Sequence, residues 1–171
     1  MRRLLLWLSI PLFVFAAIVA ATLRDVSALS VAGAWALGLG MCVGVIYLHG
    51  VCINAVLTRR TITVGAGEDG VWKTVFLLLL AHLLEMELFG TALFAADWMG
   101  LGTITGATDA SFADYLYFSF TTYTSLGLGD VSPTDSMRLL AGLETLTGLI
   151  CIGWTTAVLF GVASKQGNPS R

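Results

Sequence analysis

Charge is what this sequence has least of. Only 12% of its 171 residues are Asp, Glu, Lys or Arg, about half the share found in a soluble domain, which is too little to dress a water-facing surface. An ordinary cytosolic enzyme is excluded on that ground. So is a nucleic-acid binder, which needs a basic face, whereas the formal net charge here is -2. Cysteine is scarce as well. The three present, Cys42, Cys52 and Cys151, are odd in number and lie inside apolar runs, which argues against a disulfide framework. What the chain has in quantity is apolar side chain: 57% of residues are hydrophobic and the mean hydropathy is +0.86. It reads as an integral membrane protein.

A helix needs roughly 20 apolar residues to cross about 30 Å of hydrocarbon. Four stretches satisfy this: Leu4 to Leu23, Leu29 to Leu57, Val71 to Met99 and Met137 to Ser164. The first also resembles a signal peptide, with Arg2-Arg3 ahead of it and small residues at Ala16-Ala17 and Ala20-Ala21. Its apolar run is longer than a usual signal core, so a retained span is expected. Seven of the nine bases (Arg2, Arg3, Arg59, Arg60, Lys73, Lys165 and Arg171) fall on one side, and Arg24 and Arg138 on the other. The excess of positive charge marks the cytoplasmic side, which puts both termini there. Trp7 and Trp72 near the inner ends, and Trp35 and Trp98 near the outer ends, agree as interfacial anchors. The outer side gathers Asp25, Asp97, Asp109, Asp114, Asp130 and Asp135, a distribution that raises local cation concentration.

Between the third and fourth spans lies Phe112 to Leu128, apolar and aromatic but too short to cross. Ser111 and Asp114 have the spacing of a capping box, which predicts a helix from Tyr115 to about Thr124, some 15–18 Å long. The glycines of Ser125-Leu-Gly-Leu-Gly-Asp130 then end it. Non-helical backbone at membrane depth is tolerated only where protein surrounds it or it lines a wet cavity. A short helix followed by a Gly-x-Gly strand therefore predicts a re-entrant pore loop. Glycine tolerates backbone conformations that aim successive carbonyls one way, and a ring of such carbonyls can replace the water around a cation. The negative end of the helix dipole points inward and favours a cation at mid-membrane.

Thr121-Thr-Tyr-Thr-Ser-Leu-Gly-Leu-Gly-Asp130 resembles the pore-loop signature of potassium channels, and more closely that of the small bacterial two-helix-plus-pore (ion channel 2) family. Against the family's Thr-Val-Gly-Tyr-Gly, Ser125 stands at the Thr, Leu126 at the Val, Gly127 at the first Gly, Leu128 at the Tyr and Gly129 at the second Gly, with Asp130 at the acid that follows. Arg138 to Gly148 resembles the inner helix, with Gly148 at the gating-hinge glycine. The resemblance covers about residues 71 to 164. It implies a filter of Thr124, Ser125, Leu126, Gly127, Leu128, Gly129 and Asp130, with potassium held at Ser125, Leu126, Gly127 and Leu128. Two departures bear on selectivity: Leu128 lacks the hydroxyl that in the family braces the filter, and Ser125 loses a methyl.

Ionisable groups within a span are costly and are candidates for function. His82 and Glu85 share a helix face, and Glu144 lies one turn before Gly148. These three are read as support behind the filter or as packing glue. Two ligands at His82 and Glu85 fall short of the set a zinc site uses, and Cys42, His49 and Cys52 on the second span read as packing. A stripe of small residues, Ala32, Ala36, Gly40 and Gly44, reads as a close helix contact. No ladder of arginines marks a voltage sensor.

The sequence thus predicts an all-α integral membrane protein with four transmembrane helices, a re-entrant pore helix and a selectivity-filter loop. It divides into two N-terminal helices and a cytoplasmic loop (1–70), a pore domain (71–164) and a cytoplasmic tail (165–171). The expected function is a potassium-permeable channel, a multi-pass homotetramer of the cell membrane. Its partners are itself, the lipid bilayer and monovalent cations, with no nucleic acid and no cofactor beyond permeant potassium. The alternatives are a non-selective cation channel and a non-conducting subunit that keeps the pore fold. An intramembrane hydrolase built on Ser125 and His82 lacks a third orienting group.

Overall fold

A computed structural model describes residues 28–58, 67–107 and 109–166. Three long helices carry the fold: α1 (Ala28–Thr58), α2 (Gly67–Trp98) and α4 (Met137–Gln166). A short helix, α3 (Phe112–Tyr123), sits between the last two. Each long helix contains a stretch apolar and long enough to cross a membrane: Leu29–Thr58, Gly70–Trp98 and Met137–Ser164. These coincide with the second, third and fourth expected spans. The first, Leu4 to Leu23, lies outside the described residues, as do Arg2, Arg3, Arg24, Arg59, Arg60 and Arg171 from the charge count.

The spans are membrane helices by surface as well as by length. Phe76, Leu79 and Leu80 of α2, Val43 and Tyr47 of α1, and Leu149 and Phe160 of α4 all point outward, as lipid-facing positions do. Trp72 and Trp98 are exposed at the two ends of α2. At 1.5 Å per residue they stand about 39 Å apart, close to the distance between the two headgroup regions.

The interior is built in three tiers. The outer tier joins Ala34 of α1, Leu93 and Ala96 of α2, Tyr115 and Phe118 of α3, and Met137 and Leu140 of α4. The middle joins Val45, Met86, Phe89, Tyr123 and Cys151. The inner joins Ile53, Val56 and Leu78. The face of α1 that packs is therefore the one carrying Ala34, Val45 and His49. The small-residue stripe at Ala32, Ala36, Gly40 and Gly44 is exposed on the single chain.

The connection from α2 to α3 and the one from α3 to α4 meet outside the helices. Two-residue strands, β1 (Ile104–Thr105) and β2 (Ser132–Pro133), pair antiparallel there. Thr134 N–H donates to the Thr103 carbonyl at 2.8 Å, and Thr103 N–H returns a bond to Thr134 Oγ1 at 2.9 Å. This small clasp is the one departure from an all-helical fold among the described residues. It fixes the chain leaving the Gly-x-Gly strand.

Candidate functional site

Helix α3 is capped by the pair the spacing singled out, Ser111 and Asp114. The Asp114 carboxylate accepts from the Ser111 N–H at 2.8 Å and from its hydroxyl at 2.7 Å. The helix therefore begins three residues before the expected Tyr115. It ends at Tyr123, with Thr124 N–H still donating to Phe120 O and Ser125 N–H to Thr122 O. The chain then leaves helical geometry. Ser125 has φ 59°, Gly127 48° and Gly129 79°, whereas Leu126 and Leu128 between them stay out of that region. Such alternation turns successive peptide planes to the same side, and it needs glycine at two of its three left-handed positions. At the third, Ser125, the left-handed form costs an L-residue roughly 1–2 kcal/mol.

Every residue from Thr124 to Asp130 is exposed on the single chain, with Leu126 and Leu128 each at 61%. A non-helical, solvent-accessible backbone between two membrane spans cannot face lipid, because its unpaired polar groups would lose water without gaining partners. At its outer end Asp130 is held by Tyr117, whose hydroxyl donates to Oδ2 at 2.6 Å, while the Val131 N–H donates to Oδ1 at 3.0 Å. The Tyr117 bond keeps the Asp130 carboxyl below its usual range.

Behind the strand, α3 is tied to the spans by three hydroxyls at four-residue spacing, hence on one helix face. Tyr115 donates to Asp97 near the outer end of α2, where Thr103 Oγ1 also donates at 2.7 Å. Ser119 lies between Glu144 Oε1 of α4 at 2.5 Å and the Met86 carbonyl of α2 at 2.7 Å. Tyr123 donates to Glu85 near the middle of α2. Because α2 and α3 run antiparallel, Asp97 and Glu85 meet the first and last of the three in order. A serine hydroxyl has one proton and cannot donate to both of its neighbours. The count closes when the Glu144 carboxyl carries a proton and donates to Ser119, and Ser119 donates to Met86. Glu144 is fully buried and its Oε2 has no partner, a position tolerable for a neutral acid and costly for an anion.

Glu85 is the centre of a larger cluster. Its Oε1 lies 2.8 Å from His49 Nδ1 of α1, and its Oε2 3.2 Å from His82 Nδ1. The other ring nitrogens converge on one hydroxyl of α4: Thr155 Oγ1 is 3.0 Å from His82 Nε2 and 3.2 Å from His49 Nε2. Ligand atoms of His49, Glu85 and Cys151, all buried, fall within 4.8 Å of one another, a set that in principle could hold a metal. The spacing fits a proton better. Ligands about 2.0–2.1 Å from a tetrahedral zinc stand more than 3 Å apart, whereas His49 and Glu85 are at hydrogen-bond distance.

The candidates named from sequence therefore fall into two groups. Thr124 to Asp130 form one continuous exposed strand. His82, Glu85 and Glu144 lie behind α3, with Glu85 and His82 in one cluster and Glu144 in a separate bond to Ser119. Gly148 faces the same helix: a Cβ there would stand 2.1 Å from the Tyr123 carbonyl oxygen, so its lack of a side chain admits the end of α3. The sequence reading missed Tyr115, Ser119, Tyr123, Thr155 and above all His49, which it took for packing. The available signal was a histidine on an otherwise apolar span, which needs a polar partner.

A 12-residue helix and an exposed glycine-bearing strand lie between two helices long and apolar enough to cross a membrane. Residues 81–165, about half of the chain, match a family model described as "Ion channel", and through them the chain belongs to the two-transmembrane pore-loop, potassium channel-like family. No curated protein and no solved structure gives a significant match. The protein is thus a multi-pass membrane protein of an ion-channel family, which is not a class of enzymes.

Proposed function

We propose that four copies of the chain assemble around a common axis, each lending Ser125 to Gly129 to a filter that passes potassium ions down their gradient. The observation that carries this reading is the exposed strand from Thr124 to Asp130, with left-handed backbone at residues 125, 127 and 129. In one copy such a strand has no admissible neighbour within a bilayer. Four together enclose a wet axis, in which carbonyls replace water around a cation. Thr124 adds a hydroxyl at the inner end and Asp130 a carboxylate at the outer. His82, Glu85 and Glu144 support the filter by holding α3 in place.

The test is potassium flux into liposomes holding only this protein. Flux that disappears in Gly127→Ala supports the reading, because alanine at φ 48° meets a penalty of roughly 1–2 kcal/mol and resists the filter conformation. No flux from the wild-type chain would leave a non-conducting subunit that keeps the pore fold. A non-selective cation channel is the second reading. It is favoured by Leu128, which offers no hydroxyl to brace the filter and lies open on the chain. Equal sodium and potassium permeability under bi-ionic conditions would establish it. Cell-membrane location with both termini inside extends the charge distribution, and protease access to tags at each end checks it.

A further inference from the structure

We infer that His49, on the helix preceding the family-matched segment, is a positioning residue of the filter. It closes a hydrogen-bonded ring that is complete only with one shared extra proton. The inference rests on the pore-loop reading above. The ring runs from Glu85 to His49, to Thr155, to His82 and back to Glu85, with separations of 2.8, 3.2, 3.0 and 3.2 Å. Four links need four donated protons. Two neutral imidazoles and one hydroxyl supply three. Glu85 already accepts from Tyr123 as well, so the fourth proton belongs on an imidazole.

With that proton every link has a donor and an acceptor, and the ring is net neutral, as a site in low dielectric should be. Without it one link sets two lone pairs against each other, and the ring holds an uncompensated anion. The groups facing it are few. Cys52 of α1, Tyr123 of α3 and Cys151 of α4 lie toward Glu85, and the Trp154 ring stands 5.6 Å from His49. None of these supplies a second positive charge to take the missing proton's place.

The ring reaches the filter through Tyr123. This residue ends α3, and Ser125, the first filter residue, is two positions on. Losing the proton turns His82 Nδ1 into an acceptor 3.1 Å from the Tyr123 hydroxyl, where it competes with Glu85 for the one phenolic proton and so loosens the foot of the strand. α1 contributes to this through His49 alone, which gives a helix outside the family match a role in conduction.

His49 and His82 are the only histidines in the chain, so 15N-histidine spectroscopy of the full protein in bilayers reads the ring directly. The expected spectrum has one imidazolium and one neutral ring; in Glu85→Gln, whose amide supplies the fourth donor without a charge, both rings should be neutral. Two neutral rings in the wild type under the conditions of the flux assay would overturn the ring. In liposomes, His49→Leu and Thr155→Val, which open the ring, should conduct with a potassium-to-sodium permeability ratio changed from wild type. Ratios equal to wild type in both variants would overturn the link to the filter. If wild-type protein shows the imidazolium and no flux, the channel reading fails and the ring stands. Stoichiometric zinc in the purified protein would assign the cluster to a metal and overturn the ring.

Discussion

Replacing Gly148 by alanine separates two uses of one glycine. As a hinge, Gly148 would tolerate alanine with altered opening and an unchanged filter. As a seat for the end of α3 it would not. The added Cβ would lie 2.1 Å from the Tyr123 carbonyl oxygen and 2.9 Å from its carbonyl carbon. Ordinary contact begins near 3.4 Å, so the carbonyl oxygen would have to move by more than an ångström, and overpacking of that size costs about 1–3 kcal/mol in a packed interior. Little can give way. Tyr123 is tied to Glu85, Ser119 to the Met86 carbonyl, and Thr145 Oγ1 donates to Thr122 O at 3.2 Å. Any shift therefore strains a buried hydrogen bond too, at about 1–3 kcal/mol if it breaks. Thermal unfolding followed by tryptophan fluorescence, paired with the potassium-to-sodium permeability ratio, should show lower stability and a changed ratio. Gly44→Ala is the control, since its Cβ would meet nothing within 4 Å and helix propensity should leave it neutral or slightly stabilised, by up to about 1 kcal/mol. Gly148→Ala that unfolds like the wild type and keeps its permeability ratio would refute the contact argument and leave the hinge.

Two further outcomes follow from the hydrogen-bond count. Glu144→Gln should stay within about 1 kcal/mol of wild type, because an amide N–H can donate to Ser119 as the acid does; Glu144→Leu, which leaves Ser119 without that donor, should cost about 1–3 kcal/mol by the same measure, and equal losses in both variants would show Glu144 acting as an anion. Tyr117→Phe removes the hydroxyl that holds the Asp130 carboxyl below its usual range. The contribution of that bond is present at neutral pH and lost as pH falls through the lowered value, so the variant should protonate Asp130 at higher pH. Acidifying the outer solution should then reduce inward flux earlier in Tyr117→Phe than in wild type; identical acid sensitivity would remove Asp130 from the mouth.

The spans and the loop were legible because each rests on a local pattern. Apolar length alone marks Leu29–Thr58, Gly70–Trp98 and Met137–Ser164, and Ser111 with Asp114 marks the start of α3 within a turn. Gly127 and Gly129 mark where a helix cannot continue. Support for the filter was only half legible, because it depends on which helix faces cross. His82 and Glu85 are three residues apart and could be paired on paper. His49 lies 36 residues from Glu85 and Thr155 another 106 from His49, and no periodicity links them. The same limit explains the small-residue stripe. Ala32, Ala36, Gly40 and Gly44 promise a close contact, but α1 turns its other face to the bundle, because that face carries His49, whose burial demands partners.

If residues 125–129 form the proposed filter, the polar groups placed inside this apolar chain compensate for what that filter lacks. Leu128 carries no hydroxyl, so nothing on the strand itself can bond outward to the surrounding protein at that level. The hydroxyls stand instead one element back, on α3, where Tyr115, Ser119 and Tyr123 each find an acid of a spanning helix. Within a membrane such bonds contribute roughly 0.6–2 kcal/mol apiece, which is modest singly. Spaced along one face they fix the depth and rotation of a helix only 12 residues long. A strand rooted in that helix and clasped at its exit by Thr103 and Thr134 is held at both ends, and midway the Gly127 N–H donates to the Thr121 carbonyl of α3 at 3.0 Å. Precision in such a filter then depends on the pore helix behind it, and substitutions at Ser119 or Tyr123, which touch no ion, should alter selectivity more than changes to the side chain of Leu126.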